Sequence, residues 1–188
     1  IPVTNGDWEP KNIRYTWCFV PLSGALTGFL MMVWFVLSKQ LHVTAPLFSA
    51  VATVLPILIN GGIHMDGYMD TADALASHGT VEKKLQILKD PHIGAFGVLY
   101  CAGHLLINFG LWNQVYETPS NLRIVLYGYA LSRCGSALTI AVFPTAKQSG
   151  LAYVFADSAN KRAVAGTSAL VASVLCMLRV MGGSYFGL

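Results

Sequence analysis

Five long apolar stretches separated by polar joints organise this chain, over residues 16–38, 43–59, 93–112, 122–143 and 163–181. A helix needs about 20 apolar residues to cross a bilayer, and only helices or closed barrels can do so. The period-2 alternation of a membrane barrel strand is absent from these runs, so their continuity predicts helices. The second stretch is marginal in length. The pattern predicts an all-α polytopic membrane helix bundle with about five spans, in one domain over residues 1–188. Gly24 and Gly28 form a G-x-x-x-G in the first span, a spacing that permits close helix contact. Pro21, Pro46 and Pro56 can start or bend helices, which membranes tolerate where neighbours satisfy the backbone.

Residues 60–92 break the pattern. This segment, between spans two and three, is too polar to cross, and a long connection inside a compact protein is usually functional. Composition supports lipid as the solvent. Hydrophobic residues make up 54% of the chain and charged residues 11%, against roughly 25% charged in soluble domains. The net charge of +3 is too small to argue for nucleic acid. Cys18, Cys101, Cys134 and Cys176 lie in apolar runs without a C-x-x-C pair, which predicts neither a disulfide framework nor a zinc site.

Basic residues orient the chain. With the N-terminus in the cytoplasm, Lys11, Arg14, Lys83, Lys84, Lys89, Lys147, Lys161 and Arg162 all face inward, and only Lys39 and Arg123 fall outside. The expected location is the cell inner membrane, multi-pass, with segment 60–92 cytoplasmic.

Four of the six aspartates lie between positions 66 and 90. Asp66, Asp70 and Asp73 are spaced i, i+4, i+7, which puts them on one face of a helix. Like charges so placed cost stability, and a bound cation relieves that cost. Hard oxygen ligands without a Cys pair favour Mg²⁺ or Mn²⁺ over zinc. A solvated acidic face is the plainer explanation. Against it stand the scarcity of acids elsewhere and the preceding Asn60-Gly61-Gly62, whose glycines would let a substrate approach backbone N–H groups.

Downstream, Lys89, Asp90 and His92 meet at a span boundary. Asp90 near an N-cap and Pro91 early in the third helix would make an ordinary capped entrance. Alternatively, Lys89 and the helix start face a phosphate. Arg133 lies inside a span, where a charge is costly and a functional role is the default expectation. It suits phosphate or carboxylate, and a structural pair with an aspartate is the alternative.

The run from Asn60 to Leu75, with Asp66-Gly67-Tyr68-Met69-Asp70-Thr71-Ala72-Asp73 at its centre, resembles the signature of the cobalamin synthase (adenosylcobinamide-GDP ribazoletransferase) family. Lys89-Asp90-Pro91-His92-Ile93-Gly94-Ala95-Phe96-Gly97 is similar to that family's second motif. Arg133 with residues 143–151 resembles a weaker third block, and Pro21-Leu22-Ser23-Gly24 an early one. Ala74 stands where the family usually has Gly, and Pro91-His92 replaces the usual Ser-Arg. The family is longer at both ends, so the chain is expected to lack terminal segments.

The resemblance implies a Mg²⁺-dependent transferase. It would move the adenosylcobinamide-phosphate group from adenosylcobinamide-GDP to α-ribazole or α-ribazole 5'-phosphate and release GMP. It implies Asp66, Asp70 and Asp73 as metal ligands, with Asp73 or Asp90 as the catalytic base. Asn60, Gly61, Gly62, Lys89, His92, Arg133, Lys147 and Arg14 are the expected substrate contacts. Expected partners are the two substrates and the lipid bilayer; assembly with like chains is compatible with the sequence. A CDP-alcohol-type membrane phosphotransferase and a cation or solute transporter are the rival readings. A transporter would place its acidic site near the midplane, whereas here it falls in a polar segment.

Overall fold

The computed structural model describes residues 13–145 and 151–185, and their side chains except those at 121, 124, 151, 152 and 178–185. Among the described residues every regular element is helical. A 3-10 turn (Thr16–Phe19) leads into α1 (Val20–Gln40), followed by α2 (Ala45–Ile59), α3 (Ile63–Ala76), α4 (Val81–Ile87) and α5 (Ala95–Glu117). A second 3-10 turn (Pro119–Asn121) precedes α6 (Leu122–Val142), α7 (Leu151–Ser158) and α8 (Lys161–Tyr185).

The expected all-α membrane architecture is present, with a different arithmetic of spans. Three helical stretches among the described residues are long and apolar enough to cross a membrane: Thr16–Gln40, Ala95–Glu117 and Val125–Val142. The second expected span is only the 15 residues of α2. It joins α3 through a bend of 92°, and the two count as a fourth span only if taken together. The fifth expected span falls on α8, whose side chains from 178 onward lie outside the described residues.

The chain divides into two compact units, and the boundary falls inside α1. One comprises the residues up to Met32 and those from Asn121 on. In it α6 packs along α8, and the buried residues of the two helices, among them Ala130, Cys134, Ala137, Val164 and Ser168, are small or slim. Gly24 and Gly28 do make the close contact their spacing allows. A Cβ on Gly24 would run into the Tyr129 carbonyl and come within 2.8 Å of the Ala130 Cα, and one on Gly28 within 2.8 Å of the Leu126 carbonyl. At the start of α8, Asn160 Oδ1 accepts the Ala163 N–H (3.2 Å), a standard N-cap bond.

The other unit runs from Val33 to Ser120. Its core is an aromatic cluster around Phe48, which is completely buried. Tyr116 stacks on Phe48 with ring centroids 4.5 Å apart, while Phe35 and Trp112 meet it edge-on at 5.8 and 5.9 Å. These are the offset and T-shaped geometries that ring quadrupoles favour. The Tyr116 hydroxyl donates to the Val43 carbonyl (2.7 Å), fixing the α1–α2 connection against the end of α5.

The joint between α2 and α3 explains Asn60-Gly61-Gly62. Gly62 N–H donates to the Ile57 carbonyl (2.9 Å) and Gly61 N–H to the Leu58 carbonyl (3.1 Å). This pair of reversed bonds is a Schellman motif, which requires a left-handed residue at the helix end. Gly61 (φ 63°) and Gly62 (φ 76°) are both left-handed, a conformation glycine adopts without steric penalty. The Asn60 side-chain amide donates to the Pro56 carbonyl (2.6 Å). The two glycine N–H groups, expected to face substrate, are thus spent on ending α2.

Candidate active site

The acidic run forms α3 as its spacing predicts. Successive 100° rotations put Asp66, Asp70 and Asp73 within about 60° of arc. Burial differs along the row: Asp66 is exposed, and Asp70 and Asp73 are half-buried. α3 packs on α5, and Asp73 makes the central polar contact. Its Oδ2 accepts the N–H of Gly94 (2.8 Å) and its Oδ1 the N–H of Gly97 (2.8 Å).

These two N–H groups lie at the start of α5, where a helix leaves donors without internal partners. The N-cap residue is Gly94, which has no side chain to cap with. Asp73 supplies the cap from 21 residues away, and a carboxylate is favoured there by the helix dipole. The approach is close enough to demand glycine on the other side. A Cβ on Gly94 would collide with the Asp73 carboxylate, and one on Gly97 would lie 2.5 Å from Asp73 Oδ2 and 3.0 Å from the Met69 carbonyl.

Asp90 was expected near the N-cap of this helix. It instead closes a turn before the helix, because α5 begins only at Ala95. Asp90 Oδ1 accepts the His92 backbone N–H (3.0 Å) and lies 2.6 Å from His92 Nδ1. The His92 backbone N–H, then its imidazole, hold the Asp90 carboxyl below its ordinary pKa. His92 is therefore a partner of Asp90 in an exposed pair. Lys89 ends α4 through its N–H to the Gln86 carbonyl (2.9 Å), with its side chain exposed.

Asp70, Asp73 and Asp90 line one pocket of about 390 Å³, together with Ser77, His92 and Phe96. Asp66 does not line it. Among the described residues no three His, Cys, Asp or Glu side chains are grouped closely enough to hold a metal ion, so Asp66, Asp70 and Asp73 do not close around one point. Asp73 directs both oxygens at backbone donors. The hard-oxygen set still suits Mg²⁺, which is usually held by one or two carboxylates plus substrate phosphates rather than by an all-protein cage.

The remaining candidates lie elsewhere. Arg14 and Arg133 belong to the other unit. The Arg14 guanidinium lies 5.7 Å from the Tyr15 ring centre, and a Cβ on Gly24 would lie 2.7 Å from Arg133 Cγ. Lys147 lies outside the described residues. Sequence reasoning missed Ser77 and the Asp73–Gly94–Gly97 cap; the signal for the latter was a G-x-x-G at a helix start with no capping side chain. His104 is exposed on α5, 3.1 Å from Asn108 Nδ2 and 5.5 Å from the Tyr68 ring.

Apolar helices of membrane-crossing length and a carboxylate-lined pocket at the entrance of one of them define a helical membrane protein with a polar reaction or binding site. The profile of the cobalamin-5-phosphate synthase family matches residues 1–188. A relative from Lachnoclostridium phytofermentans is 40% identical over 96% of this chain and 69% of its own length. One from Geobacillus thermodenitrificans is 32% identical over 97% and 71%, and one from Clostridium perfringens strain SM101 is 30% identical over 86% and 64%. Each is named adenosylcobinamide-GDP ribazoletransferase. The chain belongs to the cobalamin-5-phosphate synthase family, and its curated relatives are transferases by name. It spans about two thirds of the length of those relatives. No solved structure matches it.

Proposed function

We propose that this chain is the catalytic part of an adenosylcobinamide-GDP ribazoletransferase in the cell inner membrane, with the acidic pocket on the cytoplasmic side. A ribose hydroxyl of α-ribazole, or of its 5'-phosphate, attacks the cobinamide-side phosphorus of adenosylcobinamide-GDP. The new O–P bond forms as the diphosphate P–O bond breaks. GMP leaves, and the product is adenosylcobalamin or its phosphate. The observation that carries the reading is the convergence of Asp70, Asp73 and Asp90 on one pocket at a helix entrance in a chain of this family.

Mg²⁺, when bound, neutralises diphosphate charge, which with positioning is most of what phosphoryl transfer requires. Asp70, in the pocket, and Asp66, one turn away on the same face of α3, would hold it. Asp90, oriented by His92 and kept ionised, takes the hydroxyl proton as general base. Lys89, whose side chain is exposed at the end of α4, is a cation of this unit that could meet phosphate oxygens.

The test is mass detection of GMP from adenosylcobinamide-GDP and α-ribazole by the purified protein in nanodiscs, with and without Mg²⁺, and with a CDP-alcohol donor in parallel. Turnover should need Mg²⁺ and the cobinamide donor. Asp70→Asn should lower it by more than about 100-fold, since even outer-shell partners of a metal site cost 10- to 100-fold. Unchanged turnover in that variant removes the metal role of Asp70.

A further inference from the structure

We infer that Asp73 is a positioning residue whose carboxylate assembles the pocket by clamping the start of α5 to α3. Four observations converge. Both of its oxygens accept N–H bonds, from Gly94 and Gly97. The first turn of α5 has no capping side chain of its own. Both partner residues are glycines at which any Cβ would strike this carboxylate. Finally, the residues just before Gly94 carry Asp90 and His92, which line the same pocket as Asp70.

The physics sets what the clamp does. Two N–H groups at a helix start carry partial positive charge, and an ionised carboxylate is their strongest available partner. Both Asp73 oxygens are held in a bidentate contact, so the rotamer of Asp73 is fixed and with it the spacing of α3 from the turn at 90–93. Without the contact, α5 keeps its packing on α3 but loses the polar tie nearest the turn at 90–93, and Asp90 loses its fixed place in the pocket it shares with Asp70. Asp73 thus acts through Asp90 and His92, not on the reacting atoms. The effect on turnover rests on the function proposed above; the clamp itself does not.

Hydrogen exchange followed by mass spectrometry, on the protein in nanodiscs, reads the clamp directly. Asp73→Asn keeps one acceptor oxygen and should speed exchange at Gly94 to Gly97 by roughly 5- to 30-fold, the range expected for a lost cap; Asp73→Ala should exceed it. Gly97→Ala, which removes no carboxylate, should give the same signature, and Asp73→Asn on top of it should add little. Asp70→Asn should leave this segment unchanged. In the GMP assay, Asp90→Asn should cost much less in the Asp73→Asn background than in the wild type, because Asp90 is already displaced.

Unchanged exchange in Asp73→Asn, or wild-type exchange in Gly97→Ala, overturns the clamp. Fully additive effects of Asp73→Asn and Asp90→Asn on turnover overturn its positioning role. Should the wild type release no GMP, the proposed reaction fails, and the exchange arm alone decides the clamp. Should Asp73→Ala not insert, the Asn and Gly97→Ala variants decide.

Discussion

Adding one methyl group at either of two glycines five residues apart should move stability in opposite directions. Gly62 caps α3 with φ at 76°, and Gly67 lies inside the same helix. A Cβ at either position meets no atom within 4 Å, so packing contributes nothing to the difference and backbone conformation decides it. Gly62→Ala forces an alanine into the left-handed region, at a cost of about 1–2 kcal/mol. Gly67→Ala removes the helix-interior penalty of glycine and gains about 0.5–1 kcal/mol. The two variants should therefore differ by about 1.5–3 kcal/mol. At 2–4 °C per kcal/mol for a chain of this size, their melting temperatures should bracket the wild type and lie roughly 3–12 °C apart. Thermal unfolding in nanodiscs, followed by tryptophan fluorescence, measures this. Gly62→Asn should recover part of the loss, since asparagine tolerates the left-handed region. Shifts of equal size and the same sign at both positions would refute the left-handed joint. If Gly67→Ala is more stable but inactive, substrate comes close to α3 at that point.

Two further outcomes follow from the same contacts. Tyr116→Phe leaves the ring cluster intact but deprives the Val43 carbonyl of its 2.7 Å partner, and should cost about 1–2 kcal/mol in the same melting assay. The Asp90 carboxyl is held below its ordinary range by the backbone N–H and imidazole of His92. The stability it adds is complete above the unfolded carboxyl pKa of about 3.9 and disappears as pH falls through the lower folded value. Protection of the His92 amide, its exchange taken relative to the intrinsic rate at each pH, should fall on acidification below about pH 4, and Asp90→Asn should remove that dependence.

The helices were legible because their signals are local. Residues 16–38 and 122–143 nearly coincide with α1 and α6, and the i, i+4, i+7 spacing of Asp66, Asp70 and Asp73 required the face that α3 presents. The bend that follows the second stretch was not legible, because apolar content says nothing about where glycines will turn the backbone. Gly61 and Gly62 were read as making room for a ligand, when their left-handed conformation ends a helix. The role of Asp73 was not legible. Spacing places it beside Asp70, but its partners Gly94 and Gly97 are brought to it by the packing of α3 on α5. Asp90 shows the same limit: Pro91 allowed a helix start there, but the cap went to a residue 17 positions earlier in the chain.

The closure between α2 and α3 bears on what the surrounding medium must provide. Fifteen residues rise about 22 Å at 1.5 Å each, short of the roughly 30 Å of hydrocarbon in a bilayer. A break in the ribbon after so short a rod would ordinarily need water to solvate it. Here the carbonyls of Ile57 and Leu58 take up both N–H groups of the paired glycines. The bend therefore satisfies both glycine N–H groups from within, whereas the first N–H groups of α3, which no side chain caps, call for the water that a membrane surface supplies.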